Sequence, residues 1–199
     1  MQPLSYSSVN PPGEPGALED EAGRVELARG GDGPAFAWLF HRYNAPICAY
    51  LARLVGDDEL GRDLAQETFI HAWKGLPALS GELQFRPWLY RIATNTARSH
   101  LRHTRLLHWL PWHEQRDNAL LSSDGPEEQA GENEQIHQIL ARLAPQARVC
   151  LLLQLYAGFS QREIAAVLKI SEKSVSAYVS RGREQFRQLY HQTKGGLLS

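Results

Sequence analysis

Apolar residues recur at helical spacing along most of this chain. Phe36, Leu39, Phe40 and Tyr43 stand three or four residues apart, and Ile47, Tyr50, Leu51 and Leu54 continue the stripe. That recurrence marks amphipathic helices. Asp32-Gly33-Pro34 opens the first of these, with Asp32 or Gly33 as cap and Pro34 in the first turn, and Pro46 is expected to restart it. Gly56-Asp57-Asp58 reads as a turn. A further helix is predicted from about Glu59 to Leu76, ending before Pro77, and another from about Pro87 to Arg105, with a polar loop from Leu79 to Gln84 between them. Later helices are predicted near Glu132–Leu143, Pro145–Ala157, Ser160–Leu168 and Ser171–Gln192. No segment alternates with the period of two that a strand requires, and no internal repeat is visible, so the expected fold class is all-α.

Punctuation divides the chain in two. Residues 1–20 carry Pro3, Pro11, Pro12, Pro15, Gly13 and Gly16 and are expected to be a disordered tail, with helical patterning beginning near Glu21. The stretch from Pro111 to Glu134 is rich in Ser, Gly, Pro and acid. The expected organisation is therefore a tail (1–20), a helical domain (21–110), an acidic linker (111–131) and a smaller helical domain (132–194).

Charge sharpens this picture. The chain of 199 residues has 21 Lys and Arg against 22 Asp and Glu, a formal net charge of −1. That near-balance conceals segregation. Gln84 to His113 contains Arg86, Arg91, Arg98, Arg102 and Arg105 and no acid. Ser160 to Lys194 carries Arg162, Lys169, Lys173, Arg181, Arg183, Arg187 and Lys194 against Glu163, Glu172 and Glu184. Between them lie Glu114, Asp117, Asp124, Glu127, Glu128, Glu132 and Glu134, opposed by Arg116 alone. Two basic blocks around an acidic one suggest two polyanion-facing surfaces and a solvated connector. Hydrophobic content of 43% and charged content of 22% are ordinary for a soluble globular protein. No apolar run is long enough to span a bilayer, and the N-terminus lacks the pattern of a secretory signal, so the expected location is the cytoplasm. Cys48 and Cys150 sit in apolar helical stretches as free thiols, without CxxC spacing.

Helical wheels give the candidate surfaces. On the Glu59–Leu76 helix, Leu64, Ala65, Thr68, Phe69, Ala72, Trp73 and Leu76 share a core arc. Asp63, Gln66, Glu67, Ile70 and Lys74 share a polar arc suited to docking another helix. On the next helix Arg91, Asn95, Arg98, Arg102 and Arg105 fall within an arc of about 80°. Leu89, Ala93, Thr96, Ala97 and Leu101 lie beside that arc. An acid-free Arg/Asn stripe fits phosphates and base edges, since Arg offers forked donors and Asn pairs with adenine. In the second domain Ser160-Gln161-Arg162-Glu163 is a capping box. Ile164, Ala165 and Leu168 form an inner face, Ile170 plugs a turn, and Ser171 caps a helix with Val175 and Val179 inside. Ala165 and Val175 have the spacing of a helix-turn-helix. Lys173, Ser174, Ser176, Ala177, Ser180 and Arg181 then face outward, with Arg183 and Arg187 in reach of phosphates. Trp73 and Trp88 are expected in the core.

Asp63-Leu64-Ala65-Gln66-Glu67-Thr68-Phe69 is followed by Phe85-Arg86-Pro87-Trp88-Leu89-Tyr90-Arg91-Ile92-Ala93-Thr94-Asn95 and then by the helix-turn-helix. In this order and spacing the motifs resemble the extracytoplasmic-function group of sigma factors, over roughly Asp32 to Leu189 and without the connector. The resemblance implies a region-two domain that binds the β′ coiled coil of core RNA polymerase and melts the minus-ten element. It also implies a region-four domain that reads the minus-thirty-five element and touches the β flap. Asp63, Gln66, Glu67, Ile70 and Lys74 would then face polymerase. Leu79, Ser80, Gly81, Glu82, Leu83, Gln84, Phe85 and Arg86 would hold a flipped nucleotide, with Phe85 and Trp88 beside it. Arg91, Asn95, Arg98 and Arg102 would grip the melting duplex. Ser160, Gln161, Arg162, Lys173, Ser174, Ser176, Ala177, Ser180, Arg181 and Arg183 would meet the minus-thirty-five element. The chain departs from the family at Lys173, Ser176 and Tyr178, where Gly, Arg and Arg are frequent. Promoter DNA, core polymerase and an anti-sigma factor are the implied partners, and no cofactor is implied.

Two other classes compete. A LuxR-type regulator would use the C-terminal helix-turn-helix alone and would need neither upstream motif. An enzyme would need a phosphate loop, paired carboxylates or a nucleophile–base arrangement, and none stands out. His100, His103, His108 and His113 cross a helix end without a ligand geometry. The run Leu106-Leu107-His108-Trp109-Leu110-Pro111-Trp112 reads either as packing back on the first domain or as a docking patch.

Overall fold

The structure, a computed structural model, describes residues 15–79, 84–107 and 127–195. Within these residues it is all-helical. The elements are α1 (Pro15–Arg29), α2 (Gly33–Val55), α3 (Asp58–Gly75), a 3₁₀ turn (Leu76–Ala78), α4 (Phe85–Leu107), α5 (Glu127–Arg142), α6 (Pro145–Leu155), α7 (Gln161–Leu168) and α8 (Glu172–Gly195). They form two helical clusters, α1–α4 and α5–α8.

Short polar caps set the helix limits. Asp32 Oδ1 accepts from the Ala35 N–H at 2.7 Å at the start of α2, satisfying one of the orphan donors of a helix start. Gly56 ends α2 in the left-handed conformation, φ 81°, with its N–H 2.7 Å from the Ala52 carbonyl. Asp57 then caps α3 through the Leu60 N–H at 2.9 Å. Pro46 does not restart α2. The helix runs through it, because Tyr43, Ile47, Tyr50, Leu51 and Leu54 are buried on one continuous face around the missing N–H.

α2 and α3 pack as an antiparallel pair, with Phe69 edge-on to Phe36 and Phe40 at 6.5 and 4.8 Å between ring centres. They cross closely at Gly61, where a Cβ would lie 2.6 Å from the Ala52 backbone nitrogen. α4 closes the cluster with Leu89, Ala93 and Ala97 fully buried. Thr94 gives its hydroxyl proton to the Tyr90 carbonyl at 2.8 Å, so the Tyr50 hydroxyl, 2.8 Å away, is the donor to Thr94.

Helix α1 begins at Pro15, inside the stretch read as tail. Its Val25 and Ala28 are buried, and the Glu21 carboxylate accepts from the Tyr43 hydroxyl at 2.7 Å and pairs with Arg42 at 2.9 Å. Likewise α5 begins at Glu127, within the segment read as linker. The remaining linker residues 111–126, the run His108 to Trp112 and the first fourteen residues lie outside the described residues. No described helix is long and apolar enough to cross a membrane. Cys48 and Cys150 are free thiols.

Candidate nucleic-acid interface

The α3 helix separates its two arcs cleanly. Leu64, Ala65, Thr68, Phe69 and Ala72 are buried, whereas Asp63, Gln66, Glu67, Ile70 and Lys74 are all exposed. Ile70 is 45% exposed, an apolar side chain in the middle of a polar face. Trp73 departs from its expected core position. It packs tilted on Phe36 at 4.9 Å but is 38% exposed, beside that same face. The cause is its place at the edge of the buried arc, where Phe36 of α2 covers only part of the ring.

In the loop and at the start of α4, Leu79 packs partly buried on the core and Gln84 is exposed. Ser80, Gly81, Glu82 and Leu83 lie outside the described residues. Phe85 is a core residue, 2% exposed, its ring between Tyr43 at 5.5 Å and Trp88 at 5.8 Å. It therefore offers no ring face to a base. The Arg/Asn stripe of α4 divides. Asn95 and Arg102 are exposed and Arg91 is half-buried. Arg98 donates to Gln146 Oε1 at 2.9 Å. Arg86 donates to the Ala157 carbonyl and stands 4.3 Å over the Phe159 ring. The side chain of Arg105 lies outside the described residues.

The second cluster holds the helix-turn-helix. Ser160 Oγ accepts from the Glu163 N–H at 3.3 Å, and the Glu163 carboxylate accepts from the Ser160 N–H at 2.8 Å. The Ser160 hydrogen bonds, with the Arg86 charge assisting, hold the Glu163 carboxyl below the usual carboxylate range. Lys169 takes the left-handed conformation, φ 55°, that turns the chain out of α7. Ile164, Ala165, Val175 and Val179 are buried, and Leu168 of the expected inner face is half-buried. Ser171 Oγ accepts from the Ser174 N–H at 3.1 Å, capping α8.

Along α8, Lys173, Ser176, Ser180 and Arg181 are exposed, while Ser174 and Ala177 are half-buried. Arg162 and Ser160 are exposed and Gln161 is half-buried. Arg183 donates to Gln154 Oε1 at 3.1 Å, and Arg187 pairs with Glu184 at 2.8 Å. Both arginines also rim an open apolar groove of about 540 Å³, floored by Leu140, Leu151, Leu155 and Phe186. Sequence patterning did not locate this groove, because its walls come from α2, α5, α6 and α8.

Two family models match the chain: sigma-70 region 2 over residues 39–106 and sigma-70 region 4 over residues 133–186. The RNA polymerase sigma-H factor of Pseudomonas aeruginosa is 33% identical over 176 residues, covering 83% of this chain and 91% of that protein. The RNA polymerase sigma factor NccH of Alcaligenes xylosoxydans xylosoxydans is 35% identical over 176 residues, 85% of this chain and 94% of that protein. Among solved structures, the sigma factor RpoE of Bartonella quintana, bound to the anti-sigma factor NepR, has a similar fold. Its TM-score is 0.66 at 20% identity, over 78% of this chain and 96% of that one. The chain belongs to the sigma-70 family. It is not an enzyme; it directs RNA polymerase in the initiation of transcription.

Proposed function

We propose that the exposed surfaces divide the work of promoter-specific initiation as follows. The arc of Asp63, Gln66, Glu67, Ile70 and Lys74 on α3 docks on the β′ coiled coil of core polymerase, with Trp73 extending the apolar centre that Ile70 begins. The segment from Leu79 to Arg86 and the α4 residues Arg91, Asn95, Arg98 and Arg102 engage the minus-ten element. In the second domain Lys173, Ser176, Ser180 and Arg181 face the major groove at the minus-thirty-five element. Ser174 and Ala177 set their spacing, and Ser160, Gln161, Arg162 and Arg183 stand along the phosphate backbone. The groove between α5, α6 and α8 receives the β flap through its apolar floor. An anti-sigma factor controls the chain by covering these faces, as the complexed state of the structurally similar RpoE suggests.

The observation that carries this reading is the α3 helix. It presents a continuous exposed face while Leu64, Ala65, Thr68, Phe69 and Ala72 on its opposite side are buried, in the segment that matches region 2. Replacing Asp63 and Gln66 by Ala together is expected to weaken core binding about tenfold, the effect of losing 1.4 kcal/mol, with the circular dichroism spectrum unchanged. Fluorescence titration of labelled protein with core polymerase measures it. Core affinity equal to wild type would contradict the assignment.

A further inference from the structure

The open groove of about 540 Å³ has the lining of a small-molecule site. Its floor is apolar, from Leu140 of α5, Leu151 and Leu155 of α6 and Phe186 of α8. Leu155 is 62% exposed on that floor, and Phe186 is half-buried. Among the described residues that line the groove none is acidic, and three are arginines: Arg53, Arg183 and Arg187.

The state of those arginines decides what the groove can hold. Arg53 donates to the Ala49 carbonyl at 3.1 Å and stands 4.5 Å over the Tyr156 ring. Arg183 donates to the Gln154 amide oxygen at 3.1 Å. These partners are neutral, so the bonds leave both positive charges uncompensated. Arg187 is paired with Glu184 at 2.8 Å, both side chains exposed, and an exposed ion pair is worth little and exchanges readily. Arg183 and Arg187 stand four residues apart on α8, so both project from one face.

An occupant that suits this lining has an apolar body, because polar groups laid on leucines without partners cost free energy. It also has a negative end, since guanidinium forks bind carboxylates by charge-assisted bonds. The volume lies within the range of small-molecule sites, about 300–1,000 Å³. A neutral lipid leaves the arginines unused, and a sugar phosphate brings too much polar surface to the floor.

We propose that the groove binds a single-chain anionic amphiphile, a long-chain carboxylate. Its tail lies along Leu140, Leu151, Leu155 and Phe186, and its carboxylate meets Arg183 and Arg187. The same floor is assigned above to the β flap, so amphiphile and flap compete for it. Only that consequence rests on the flap reading.

The probe is cis-parinaric acid, a fluorescent long-chain carboxylate that brightens on leaving water, titrated with the full-length chain below its micelle concentration. Laurate, myristate and palmitate are expected to displace it with affinity rising about fourfold per two carbons, the effect of methylenes half removed from water. Dodecanol, equal in length to laurate, should bind more weakly. Leu155→Glu, at an exposed position, puts a carboxylate on the floor and should weaken laurate binding at least about tenfold, with the circular dichroism spectrum unchanged. Arg183→Gln with Arg187→Gln should weaken laurate about three- to tenfold, for two exposed charge contacts, and leave dodecanol unaffected.

Absence of displacement by any of the three carboxylates overturns the proposal. So does laurate affinity untouched by Leu155→Glu, or equal affinity for laurate and dodecanol. Phosphatidylglycerol vesicles that sediment wild type but not Leu155→Glu, without binding of free laurate, would assign the groove to a membrane surface and also overturn it. Saturating laurate is expected to weaken binding of the wild-type chain to core polymerase. If laurate binds as described and core affinity is unchanged, the flap reading fails and the ligand site stands.

Discussion

Gly61 shows how a single missing methyl sets the geometry of the first domain. A Cβ there would meet the nitrogen, Cα and Cβ of Ala52 at 2.6, 2.7 and 2.8 Å, and backbone atoms cannot swing aside. Helix propensity alone favours Ala over Gly by about 1 kcal/mol, whereas forcing an extra carbon into a packed crossing costs about 1–3 kcal/mol. Packing therefore wins, and Gly61→Ala is expected to lower the melting temperature by several degrees in calorimetry. A higher melting temperature would mean that α2 and α3 can separate freely. Cys150 gives a second prediction. Burial pushes its thiol up to about 11, against the pull of Arg98. The unfolded chain ionises this thiol near pH 8.5, so its contribution is intact below that value and is lost as pH rises through about 11. Between about pH 8 and 9.5, below the range of an ordinary tyrosine, the urea midpoint of wild type should fall faster than that of Cys150→Ala. Equal slopes would contradict the burial of this thiol. Neither residue stood out in the sequence, where a glycine in an amphipathic helix and a cysteine in an apolar run carry no mark of what lies opposite them.

At the scale of elements, local signals read well wherever the cap is local. Asp32, Asp57 and the Ser160–Glu163 box each act within three residues, so the starts of α2, α3 and α7 were legible to within a residue or two. Pro46 misled, because a rule about one residue yields to a buried face that spans the whole of α2. The start of α1 was hidden for the opposite reason: Glu21 is held by Tyr43 and Arg42, twenty-odd residues away. The α4 stripe was legible as a face, but its division was not, since Arg98 and Arg86 are drawn aside by the second domain. Asn95 and Arg102 are the exposed members that take no part in that contact. Replacing both by Ala is expected to reduce open-complex formation on a duplex promoter about tenfold or more, given about 1–3 kcal/mol for a good side-chain contact to a base. Permanganate footprinting measures this, and a pre-melted template should show a smaller loss. Equal loss on both templates would mean that these residues only anchor the phosphate backbone.

At the scale of the whole molecule, two domains were expected from the acidic stretch between two basic blocks, and two helical clusters are present. Their mutual contact was not legible. Arg86 and Ala157 are 71 positions apart and Arg148 and Leu54 are 94 apart, and no periodicity joins such pairs. The apolar groove escaped for the same reason. Family motifs, by contrast, were legible as motifs because each lies on one helix or one turn. The chain supplies promoter choice to polymerase, and run-off transcription with purified core enzyme on fragmented genomic DNA of the source organism tests that most directly. Core polymerase with this chain is expected to give discrete transcripts starting downstream of a shared pair of sequence elements, absent with core alone. Transcripts from core unchanged by the chain, or dependent on another sigma factor already present, would contradict it.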